Sequence, residues 1–139
     1  MTDGDGAAVR IDARILEIHL QQREAAQHLA GEGLVDFNHV HVLERAKLSL
    51  KDLDIIEINE AFASQVLGCL ALMKVDFKDP RVNPNGGAIA IGHPLGCSGA
   101  RLALTVSRQL QESGSKYAAV SLCIGVGQGL AMIIERQKN

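Results

Sequence analysis

The sequence predicts an α/β fold: a mixed β-sheet flanked by helices and ending in a β-hairpin. Three observations carry that expectation. Helical and strand-like segments alternate along most of the chain. A four-residue run, Ile55 to Ile58, is too short for a helix and suits a buried strand. Two apolar stretches near the C-terminus, Tyr117 to Ile124 and Leu130 to Glu135, are joined by the Gly-rich GVGQG and so run antiparallel. No internal repeat, low-complexity tract or interdomain linker divides the chain, and residues 1–139 read as one domain.

The elements follow in order. MTDGDGAAVR is too Gly-rich and acidic to open a regular element, so residues 1–12 read as a loop. Between Ala13 and Ala30 the apolar residues Ile15, Leu16, Ile18, Ala25, Ala26 and Leu29 keep helical spacing, which stops before Gly31. VHVLERAKL predicts a further short helix, and LSLKDLDIIEIN leads into the Ile55–Ile58 strand with Asn59 at its end. AFASQVLGCLALMK returns to helix until Pro80 breaks the pattern, and Arg81 and Val82 offer a brief strand. Ser98 is placed to cap a helix from Gly99 to Leu110, with Gly114 past its end.

Composition narrows the classes of function. Apolar residues make up 47% of the chain, aromatic ones 3%, and the mean hydropathy is +0.09, values of a globular chain with an aliphatic core. Fourteen basic against sixteen acidic residues give a net charge of -2 without a basic run, so nucleic acid is not an expected partner. No apolar stretch reaches the length of a membrane span, which argues against a membrane partner. Three cysteines cannot all pair within the chain, and no signal-like N-terminus is present, so the expected setting is reducing and cytoplasmic.

Three polar stretches fall at strand ends, where sites form in open α/β sheets: Asn59 with Glu60, the His93 loop, and Cys123 with Gly125. NPNGGAIAIGHPLGCSGAR, residues 83–101, holds five glycines around one histidine. Pro94 biases His93 toward extended backbone, and the glycines permit a crowded loop that can bring one imidazole to a reacting group. A plain turn with a hydrogen-bonded histidine would leave the same trace. Cys123 ends an apolar strand and reads either as a small core residue or as a thiol beside a glycine turn whose N–H groups can stabilise an oxyanion. Asn59 either orients a water or carbonyl or caps the next helix. Other signals are weaker. GVGQG imitates a dinucleotide loop, but a strand-like stretch follows it where a helix would be required. His39 and His41 would share one face of a strand, with no third metal ligand in view. Cys69, among Leu67, Leu70 and Leu72, reads as core.

Taken together, NEAFA at 59–63, NPNGGAIAIGHPLGCSGARL at 83–102 and CIGVGQGLAMIIE at 123–135 resemble, in order and separation, the C-terminal motifs of the thiolases. The resemblance is close from Val42 to Arg136. GHPLGCSGARL and GVGQGLA lean toward degradative thiolases, especially those acting on 3-oxoadipyl-CoA, and DGAAV at 5–9 is similar to a further family segment. The resemblance implies cleavage or formation of 3-oxoacyl-CoA through an acyl-cysteine, with CoA as a substrate and no separate cofactor or metal. His93 would activate the nucleophile and help bind the thioester oxygen. Cys123 would be the acid/base that moves the proton of the acetyl α-carbon or of the CoA sulfur. Asn59 would hold a water in one oxyanion hole, and the Gly125 N–H would serve the other.

The departures from the family pattern point the other way. No residue occupies the position of the family's acylated cysteine, which belongs to an N-terminal half, as does the lid segment that cradles CoA. The stretch between DGAAV and NEAFA is short and lacks the Met-Gly-x-Gly-Pro loop. Cys97, set before a helix N-terminus that favours a thiolate, is a remote substitute. Two readings therefore stand: a C-terminal half completed by an N-terminal half or by homo-oligomerisation, or a non-catalytic remnant that binds partners or acyl-CoA. The helix from Gly99 carries Ala100, Leu102, Ala103, Leu104, Val106 and Leu110, more apolar surface than one stripe needs. In the family the matching helix lies between the sheets of the two halves.

Overall fold

The computed structural model describes residues 39–125 and 128–137, with side chains from Val42 onward. The loop expected over 1–12 and the helix expected over 13–30 lie outside the described residues. The elements run α1 (His39–Ala46), a 3-10 turn (Leu50–Asp52), β1 (Ile55–Ile58), α2 (Ala63–Met73), α3 (Ala88–Ile91), α4 (Ser98–Ser113), β2 (Tyr117–Gly125) and β3 (Gln128–Glu135). The sheet order is β1-β2-β3. β1 lies parallel to β2, with Ile55 opposite Ala118 and Ile58 opposite Ser121, and β2 pairs antiparallel with β3. The expected mixed sheet and terminal hairpin are both present.

Alternation along the strands splits the core into two layers. Ile56 and Ile58 face α1 and α2, packing with Leu43, Val66, Cys69 and Leu70. Ile55 faces α4 and packs with Leu102, Val106 and Leu110, none of which retains exposed surface. Burying each of those side chains contributes roughly 1.5–3 kcal/mol of transfer free energy. Leu104 stays 62% exposed on the opposite side of α4, so the helix's apolar excess is real but narrower than its sequence suggests.

Chain reversals follow local chemistry. α1 and α2 each end on a left-handed lysine, Lys47 and Lys74, after which Leu48 and Val75 donate N–H groups back to Leu43 and Leu70. α4 ends on left-handed Gly114, as its sequence predicts. Asp54 fixes the β1/β2 register, because its Oδ2 accepts the N–H groups of Lys116 and Tyr117.

Four local expectations are corrected. Arg81 and Val82 form only an isolated parallel bridge to Ile56 rather than a strand. Within the Gly-rich loop, residues 88–91 make one helical turn, because the N–H groups of Ala90 and Ile91 return to the Gly87 carbonyl. Positions 39 and 41 belong to helix α1, where residues two apart diverge, so they do not share a strand face. α4 begins at Ser98, and Ser98 does not cap it: the N–H groups of Cys97 and Ser98 both turn back to the Pro94 carbonyl. Among the described residues no helix is long and apolar enough to cross a membrane.

Candidate functional site

The site forms where β1 and β2 end side by side. Asn59 extends the ladder by one residue, donating its N–H to the Ser121 carbonyl at 2.8 Å, and is fully buried. It is not a helix cap, since α2 starts at Ala63 with Phe62 in the cap position. Its side chain is shared between two partners. Oδ1 accepts from Arg101 Nη2 at 3.2 Å, and Nδ2 lies 3.3 Å from His93 Nε2 and 3.5 Å from Nδ1.

His93 is brought to Asn59 from 34 residues away by its loop. Its Nδ1 is 2.6 Å from Ser98 Oγ, whose own proton goes to the Pro94 carbonyl at 3.2 Å. A hydroxyl that donates to Pro94 accepts from Nδ1, an arrangement that pairs a protonated Nδ1 with Nε2 as the acceptor facing the Asn59 amide. Ser98 is buried and its hydroxyl holds the imidazole rather than a helix end.

The loop is tied to β1 by Asn83, which sequence reasoning missed, and by Glu60, which it placed at the strand end without giving it a role. Asn83, at a left-handed φ of 41°, acts as a short false strand along the outer edge of β1. Its Oδ1 accepts the Ile58 N–H at 2.8 Å, and its Nδ2 donates to the Ile58 carbonyl and to Glu60 Oε1, each at 3.0 Å. Glu60 Oε2 accepts the Ile89 N–H at 2.9 Å. Gly87 makes room for that carboxylate: a Cβ there would come within 2.5 Å of the Glu60 carboxyl carbon and push it aside.

Behind Asn59 a buried carboxyl lies beside a guanidinium. Glu57 is fully buried on the α4 side of β1, with Arg101 Nη1 3.5 Å from its Oε1. Neither Glu57 oxygen has a hydrogen-bond partner among the described residues. Burial pushes the Glu57 carboxyl up to about 7, against the pull of the Arg101 charge and with a smaller push from Glu60. A signal for this pair was available: Glu57 interrupts an otherwise aliphatic run that the register buries on both faces.

Cys123 and Gly125 lie at the end of the adjacent strand. Cys123 is half-buried against the α2-side core and faces Gly129 across the hairpin. Gly125 is exposed, at a φ of +103° that a side chain would strain, next to a register shift. The structure thus joins Asn59 to His93 directly. It puts Cys123 and Gly125 one strand over, without a side-chain hydrogen bond to His93 among the described residues. Cys97 is exposed at the start of α4, whereas Cys69 is buried in the core, as its neighbours imply.

Comparison with known proteins settles the family. Residues 11–136 match the family model described as the thiolase C-terminal domain. The chain belongs to the thiolase family. It is 47% identical to the 3-oxoadipyl-CoA/3-oxo-5,6-dehydrosuberyl-CoA thiolase of Escherichia coli K12, over 98% of this chain and 38% of the relative. It is 60% identical to a beta-ketoadipyl-CoA thiolase of Acinetobacter baylyi, over 68% of this chain and 24% of the relative. A crystal structure of human mitochondrial 3-ketoacyl-CoA thiolase in complex with CoA superposes with a TM-score of 0.68 at 47% identity, covering 71% of this chain and 25% of that one. This thiolase domain therefore spans well under half the length of these relatives. The alignment to the E. coli protein runs over 154 residues although this chain has 139, so that relative holds residues with no counterpart here.

Proposed function

We propose that this thiolase domain supplies the C-terminal half of an acyl-transfer site that cleaves a 3-oxoacyl-CoA with CoA, or runs the reverse condensation. The acylated cysteine would come from an N-terminal half. One observation carries the reading: an imidazole held between the Asn59 carboxamide and the Ser98 hydroxyl at the strand ends.

In the first step the thiol of the N-terminal cysteine loses its proton to His93 and attacks the 3-oxo carbonyl. The carbon–carbon bond breaks, and Cys123 protonates the departing acetyl α-carbon. In the second step Cys123 takes the proton of the incoming CoA thiol, whose sulfur displaces the cysteine from the acyl group, and the released thiolate recovers its proton from His93. The Gly125 N–H and a water held by Asn59 would stabilise the two oxyanions. The names of the bacterial relatives favour a 3-oxoadipyl-CoA-like substrate and the degradative direction. A cytoplasmic setting suits a chain whose three cysteines cannot all pair with one another.

The test is an assay of acetoacetyl-CoA thiolysis by the pure chain and by the chain combined with an N-terminal thiolase half. The pure chain should give no detectable turnover. The combination should turn over, and Cys123→Ala should reduce its rate by roughly 10²–10⁴-fold, the range for loss of a general acid/base. Turnover by the pure chain at an ordinary enzymatic rate would contradict the reading and direct attention to Cys97. A combination that binds CoA without turnover would favour the non-catalytic alternative.

A further inference from the structure

Arg101 spends its guanidinium on two buried acceptors. It donates to Asn59 Oδ1 at 3.2 Å and stands 3.5 Å from Glu57 Oε1, while its side chain is only 15% exposed. A carboxamide is nearly symmetric in shape, so packing alone does not decide which end faces His93. A donor with no acceptor capacity does decide it: arginine can only face the oxygen. The amino end then turns toward the imidazole, where it meets a bare nitrogen favourably and an N–H unfavourably.

We propose that Arg101 is a positioning residue that acts through Asn59, fixing the carboxamide with its oxygen toward the guanidinium and thereby holding His93 in the tautomer protonated on Nδ1. Glu57 anchors the guanidinium from behind. Ser98 bears on the same tautomer at Nδ1, 2.6 Å from its hydroxyl, while the Asn59 amide lies nearer Nε2 at 3.3 Å than Nδ1 at 3.5 Å. Arginine is suited to the position because its planar fork reaches two acceptors at once, which a lysine ammonium at the end of a flexible stem does not reproduce. The inference gives a cause for the His93 state on which the proposed function relies. Its test reads the ring itself, so the two can fail separately.

The experiment is a long-range ¹H–¹⁵N correlation on the full chain with ¹⁵N-labelled histidine, with the His93 signals assigned by their loss in His93→Gln. The parent should show Nδ1 protonated and Nε2 bare. Arg101→Gln should lower the ratio of the two tautomers by roughly fivefold, the effect of one hydrogen bond. Glu57→Gln should lower it less. Leu102→Ala, which opens the core beside Arg101 without touching the network, should lower the melting temperature and leave the ratio unchanged. A ratio in Arg101→Gln equal to that in Leu102→Ala would overturn the proposal. Should Arg101→Gln fail to fold, Arg101→Met, which keeps the stem and removes every donor, takes its place, and a parental ratio in that variant would overturn the proposal equally.

Discussion

Glu57 is a carboxyl with no exposed surface and no hydrogen-bond donor on either oxygen among the described residues. Desolvation outweighs the nearby Arg101 charge and lifts it from the ordinary 4.5 to about 7. The folded chain therefore keeps this proton up to about pH 7, while the unfolded chain releases it near 4.5. Stability contributed by the protonated form is complete below 4.5 and is lost as pH rises through 7. The loss is on the order of 3 kcal/mol. Glu57→Gln, which keeps the shape without the titration, should flatten the stability profile between those limits. Urea unfolding midpoints at stepped pH values measure this, and an unchanged slope in the variant would contradict the assignment.

At the scale of elements, β1, α3 and the His93 loop are held together by Glu60 and Asn83 rather than by a continuous strand. Gly87→Ala should cost about 1–2 kcal/mol, because the new methyl group displaces the Glu60 carboxylate from Asn83 and from the Ile89 N–H. The same substitution in a Glu60→Ala background should cost markedly less. Equal costs in the two backgrounds, measured by denaturant unfolding, would contradict the anchoring role. These contacts also mark where the sequence stops being legible. The Ile55–Ile58 strand, the hairpin around GVGQG and the stop of α4 at Gly114 follow from local pattern, and so does the gathering of Asn59 and His93 at strand ends. The partners of His93 do not. Ser98 has the residue type and place of a helix cap, and only the turn of Cys97 and Ser98 onto Pro94 frees its hydroxyl for the ring. Asn83 imitates a strand with its side chain, which no periodicity reports. Glu57 was legible as a charge inside a buried run, but its partner Arg101 lies in a helix 44 residues away, a pairing set by the packing of α4 on β1.

At the scale of the whole molecule, the site faces an apolar border. Phe62 is 70% exposed and Leu95 is 82% exposed, and Ile89 and Ile91 also face outward around the His93 loop. Large apolar side chains gathered beside a polar site mark a surface that a partner covers, which suits a half-site completed by further thiolase structure. The most direct measurement is the location of the acyl group. The chain is combined with an N-terminal thiolase half, incubated with acetyl-CoA, quenched, digested and analysed by mass spectrometry. The adduct should lie on the cysteine of the N-terminal half. It should persist in Cys123→Ala while condensation is lost, and His93→Ala should impair both steps. An acyl group found on Cys123 would contradict its role as the acid/base and with it the proposed division of the site.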